Sequence, residues 1–221
     1  MFLIGDFIEG LEGIFHIFPD ALFVGSGFLA LTTLSYSFAV LFFGVLEGTL
    51  IFHGIHKLNE HLQIIPTILM EGNASDCKPR LSGVSIQSLS VFDTGSVSAF
   101  PSAHVYMVAF FVSYLVSILL YFRDELEILS ASYGELFQTR LYVSIVGFAC
   151  ILFSTMCYRL FKQCDTFSSI IVTLFLGLFV GTFVAIQNSS LLGKESINLL
   201  GVPILRRKDE NGNDLYVCSP N

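Results

Sequence analysis

The sequence predicts an all-α multispan membrane protein, and two observations carry that expectation. Of its 221 residues 53% are hydrophobic and 13% are charged, against about 25% charged in an ordinary soluble domain. The shortfall is concentrated in apolar blocks, each at or above the roughly 18 residues that a hydrocarbon core demands of a crossing helix. The expected architecture is a helical domain over residues 21–186 with about four spans, near 21–43, 105–122, 141–160 and 166–186. An N-terminal interfacial segment over residues 1–20 precedes it, and a polar tail over 187–221 with a small β-hairpin follows.

Each element has its reason. Before Ala21, Phe, Leu and Ile alternate with Asp6, Glu9 and Glu12, a stretch too short and too acidic to span and suited to lying in the interface. With no Lys or Arg ahead of its apolar residues, it is not expected to be a signal peptide. The first span carries apolar character past Glu47 to Phe52, and an acid at such a place is expected to face protein or headgroups rather than lipid. His53, His56 and Glu60 follow at helical spacing and read as an interfacial polar face, so no metal is expected. Residues 71–100 turn to Ser, Gly, Asp and Asn around Cys77-Lys78-Pro79-Arg80, a loop long enough to carry function.

The second span opens on Pro101-Ser102-Ala103-His104. Proline has its φ set for a first helical turn and lacks the N–H that would be unpaired there, so the amides after it point outward and suit an anion. After an acidic stretch over 123–138, partly helical, comes the third span, then a short link with Arg159, Lys162 and Asp165, then a fourth span with Gly177 and Gly181 one turn apart. That small-xxx-small spacing lets membrane helices approach closely. In the tail, Asn211-Gly212 between two short apolar runs predicts a hairpin, which needs a surface to pack on.

Five cysteines at 77, 150, 157, 164 and 218 include no C-x-x-C pair, so neither a disulfide framework nor a zinc site is expected. Cys150, Cys157 and Cys164 recur every seven residues and read as small packing residues on one helix face. A net charge of −7 without a basic stripe excludes nucleic acid as a partner. Four spans put Lys78, Arg80, Ser102, His104, Arg159, Lys162 and Asp165 at one membrane face, which we call face two, and both termini at the other, face one. Lysines and arginines divide too evenly between the faces for the positive-inside rule to orient the chain.

Lys78-Pro79-Arg80, then Pro101-Ser102-Ala103-His104 opening a span, then Arg159 ahead of the last span resemble the type 2 phosphatidic acid phosphatase superfamily over roughly residues 71–186. That family carries K-x-x-x-x-x-x-R-P, P-S-G-H and S-R-x-x-x-x-x-H-x-x-x-D on one side of a helical membrane bundle. The resemblance implies a phosphate site of Lys78, Arg80, Ser102 and Arg159, with His104 protonating the leaving alcohol. It departs from the family at Glu71 for lysine, Lys78 for arginine, Ala103 for glycine and Tyr158 for serine. The decisive departure is Asp165 in the place of the nucleophilic histidine, with Ser169 in the place of its orienting aspartate. The histidines stand at 16, 53, 56, 61 and 104, so none follows Arg159.

The resemblance, with its nucleophile missing, implies a phosphatase-like bundle without turnover; the acidic 123–138 stretch and the polar tail with its hairpin add the expectation of a structural or interaction component of a larger membrane assembly. Its neighbours are expected to be the lipid bilayer and proteins that meet the 123–138 stretch and the 187–221 tail. An active lipid phosphate phosphatase using Asp165, and a binder of anionic lipid headgroups, are the alternatives; no cofactor is expected. The tail segments Leu192-Gly193-Lys194-Glu195 and Asn198-Leu199-Leu200-Gly201-Val202-Pro203 are also similar to membrane proteins of large DNA viruses. That similarity implies a minor capsid protein of the virion's internal membrane.

Overall fold

A computed structural model describes residues 20–62, 100–133, 136–202, 204–208 and 214–217. Among these, six helices run in order: α1 (Asp20–Thr33), α2 (Tyr36–Leu62), α3 (Ala103–Tyr121), α4 (Arg123–Tyr133), α5 (Leu136–Phe161) and α6 (Phe167–Leu192). A 3-10 turn, Lys194–Ile197, follows α6. The strands β1 (Ile204–Lys208) and β2 (Asp214–Val217) pair antiparallel, Ile204 facing Val217 and Leu205 facing Tyr216, with a register irregularity before Lys208 faces Asp214. The Asn211-Gly212 turn expected between them, the 1–19 segment and the 71–99 loop lie outside the described residues.

Four helices are long and apolar enough to cross a membrane: Tyr36–Leu62, Ala103–Tyr121, Thr139–Phe161 and Phe167–Leu192. The chain is a multispan membrane protein. The span expected over 21–43 is corrected, because that stretch is two helices. Thr32 and Thr33 turn their hydroxyls onto the Phe28 and Leu29 carbonyls at 2.8 and 2.6 Å, and Leu34 takes a left-handed φ of 49°. No helix continues through such a residue. The chain restarts at Tyr36, and α2 carries His53 to Glu60, read from the sequence as an interfacial polar face at helical spacing, as its last turns. At the other end, α6 takes Gln187 to Leu192 from the expected tail.

Helix α3 is the centre of the bundle. In its apolar stretch 67% of the residues are buried, against 6% in α5, which lies along the outside. Tyr106, Phe110, Tyr114 and Ile118 recur along one side of α3 at helical spacing and pack with Val45 and Phe52 of α2 and Val180 and Val184 of α6. The expected close approach at Gly177 and Gly181 falls on the α3–α6 contact. A Cβ at Gly177 would lie 2.6 Å from the Tyr106 carbonyl oxygen, and one at Gly181 would overlap Ser113 Oγ and the Phe110 carbonyl. Hydrogen bonds across the bundle add register: Tyr106 donates to the Gly48 carbonyl at 2.9 Å, and Asn188 Nδ2 donates to the Tyr114 hydroxyl at 3.1 Å. Without water as an alternative partner, such buried groups hold the helices in one alignment.

The cysteines do not form the expected face. Cys150 is exposed, and Cys164 lies beyond the end of α5, buried and disulfide-bonded, its partner outside the described residues. Cys150 and Cys157 are free.

Candidate functional site

Three of the residues singled out by the sequence meet where α3 begins, α5 ends and α6 begins. Asp165 Oδ2 accepts hydrogen bonds from Ser102 Oγ and Arg159 Nε, both at 2.7 Å. Ser102 and Arg159 are buried, and the Asp165 side chain is 9% exposed, so the carboxylate is neutralised at close range in a place with little water. Charge-assisted bonds of that length are about twice as strong as neutral ones.

Local structure explains the meeting. Arg159 stands in the last turn of α5. Beyond Phe161 the chain reverses: Gln163 takes a left-handed φ of 53°, and the Cys164 amide donates back to the Arg159 carbonyl at 3.0 Å. The reversal returns Asp165 to the side chain of the arginine six positions earlier. Thr166 then caps α6, its hydroxyl accepting from the Ser169 amide at 3.3 Å.

On the α3 side the expected helix start is corrected. The helix begins at Ala103 and Ser102 is its cap residue, so Pro101 lies outside the first turn. Ser102 makes no side-chain cap bond, its hydroxyl being given to Asp165. Its amide, expected to point outward for an anion, instead donates to Thr173 Oγ1 of α6 at 3.2 Å. Thr173 is fully buried, and its part in the site had no signal in the sequence beyond lying one turn after Ser169.

His104 follows in the first turn of α3, half-buried. Ser169 is buried near the start of α6. Lys78 and Arg80 lie outside the described residues. His56, read from sequence as part of an interfacial face, anchors the end of α2 to this corner: its Nδ1–H donates to the Phe100 carbonyl at 2.9 Å, and its ring stacks on Phe52. A carbonyl only accepts, which fixes the proton on Nδ1. Among the described residues no group of three or more His, Cys, Asp or Glu is placed to hold a metal ion.

The arrangement can hold an anion between a hydroxyl and a guanidinium, and the chain's own carboxylate takes up both donors. No family model, curated protein or solved structure matches this chain.

Proposed function

We infer that the protein is a non-catalytic integral membrane protein with a phosphatase-like bundle, serving as a structural or interaction component of a larger membrane assembly. One observation carries this reading: the paired bonds from Ser102 and Arg159 to Asp165 Oδ2. In the superfamily that the motifs resemble, the corresponding serine and arginine hold phosphate while a histidine attacks phosphorus. Here the residue in the histidine's place is an anion, and it engages both phosphate-holding groups itself. A phosphate monoester entering this corner would have to displace Asp165 and lie beside a second negative charge. Attack by a carboxylate on such an ester needs a cation or metal to suppress repulsion. The Nε–H of Arg159 is already given to Asp165.

The assembly part of the reading rests on the acidic segment after α3, on the tail and on the similarity of its Leu192-Gly193-Lys194-Glu195 stretch to membrane proteins of large DNA viruses. A layer joining a capsid to an internal virion membrane is the setting that fits it.

Phosphate release from phosphatidate in mixed micelles tests the reading. The wild-type chain is expected to release no more than the His104→Ala/Asp165→Asn double variant. Release above that background, lost on either single substitution, would make the chain a phosphatase with an aspartate nucleophile.

A further inference from the structure

Away from the Ser102 corner, α2 and α6 carry an acid–amide pair inside the bilayer that the packing of this chain leaves half-exposed. Gln187 Nε2 donates to both Glu47 oxygens, at 3.0 and 3.2 Å, and both residues are half-buried. Gln187 is the partner of Glu47 among the described residues, and it brings no charge.

The depth follows from the packing. Gly48 lies against the Phe110 ring, and Gly44, one turn earlier, against Tyr114. Phe110 and Tyr114 flank the midpoint of α3, whose 19 residues make it the shortest candidate span. Glu47 stands twelfth of the 27 residues of α2, near the middle of that span, and Gln187 stands sixth from the end of α6. Around the pair the surface is apolar and open: Phe43 and Leu50, one turn either side of Glu47, are 64% and 65% exposed, and Phe183 and Leu191, one turn either side of Gln187, are 52% and 75% exposed. A carboxylate facing lipid at this depth is costly, and acids within spans usually face a bundle interior or pair with a group of opposite charge.

We propose that the α2–α6 seam at Glu47 and Gln187 docks a membrane-crossing helix of another protein, one that presents a lysine or arginine at mid-span. Charge complementarity selects the cation, and the described spans of this chain hold none at that depth for a second copy to present. In the described spans the cations are Lys57 near the Leu62 end of α2, Arg140 near the Leu136 end of α5 and Arg159 near its Phe161 end. None reaches mid-depth. The docked helix covers Phe43, Leu50, Phe183 and Leu191 while its cation meets the Glu47 oxygens beside the Gln187 amide. The inference is independent of the reading of Ser102, Arg159 and Asp165.

The test uses the full chain in phosphatidylcholine vesicles and synthetic helices of about 20 leucine and alanine residues, the length of a span. Three probes carry a central lysine, a central leucine, or a lysine moved two turns toward one end; association is read by energy transfer between labelled probe and labelled protein. The central-lysine helix is expected to bind roughly tenfold more tightly than the other two, the worth of one interhelical polar contact in a membrane. Glu47→Gln, which keeps the shape and the amide contact, is expected to abolish that preference. Equal binding of the three probes to the wild type overturns the proposal without reference to any variant. So does a preference that survives Glu47→Gln, or a Glu47-dependent association of the chain with itself.

Discussion

Arg159–Asp165 and Lys194–Glu125 sit at opposite ends of α3, and their carboxylates are satisfied to different degrees. Asp165 gathers a guanidinium and a hydroxyl on one oxygen, from two other elements of the chain. Glu125, in the first turn of α4 and 3% exposed, takes the Lys194 ammonium on Oε1, while Oε2 has no hydrogen-bond partner among the described residues. Lys194 is held as much by ring faces as by charge, lying 5.1 Å from the Tyr121 centroid and 5.0 Å from that of Phe122. Its side chain remains 30% exposed. The face-one pair thus reads as a clamp that pins the segment after α6 onto the α3–α4 corner. The face-two pair has the donor set of an anion site, with a carboxylate of the chain itself in place of the anion.

Four substitutions break or sharpen that contrast, each read by unfolding in a mild detergent. Asp165→Ala leaves Arg159 buried without its partner and is expected to cost the most, about 3 kcal/mol. Lys194→Ala strands Glu125 in the same way, but water already reaches the lysine, so about 2 kcal/mol is expected. Ser102→Ala removes one of two donors from a charged acceptor and should cost about 1.5 kcal/mol. Glu125→Gln keeps an acceptor for Lys194 and replaces a charge that has an unpaired oxygen, so its effect should stay under about 1 kcal/mol. If Glu125→Gln cost more than Ser102→Ala, the face-one pair would be the tighter of the two and the contrast would fail.

Much of this was legible in the sequence. Apolar block lengths alone give four spans, and counting them brings Ser102, Arg159 and Asp165 to one face before any contact is known. The spacing of Gly177 and Gly181 marks the side of α6 that meets α3. The break between α1 and α2 was hidden, because hydropathy averages over Thr32, Thr33 and Leu34 and carries no signal of a left-handed φ. The reach of α2 past Phe52 was legible in the helical spacing of His53, His56 and Glu60, since a helix can outrun the apolar zone and show polar residues such as Lys57 and Glu60 to water. Pairings between distant elements, Ser102 with Thr173 or Glu125 with Lys194, depend on the register of packed helices. That register is set by glycines and rings meeting in three dimensions.

The most direct test of the account asks whether the Ser102–Arg159 corner is an anion site that Asp165 fills. Millimolar inorganic phosphate added to Asp165→Ala is expected to raise its unfolding temperature toward that of the wild type, and to leave the wild type unchanged, because in the wild type Ser102 Oγ and Arg159 Nε are held by Asp165 and its charge repels a second anion. Stabilisation of the wild type to the same extent, or no stabilisation of the variant, would contradict it.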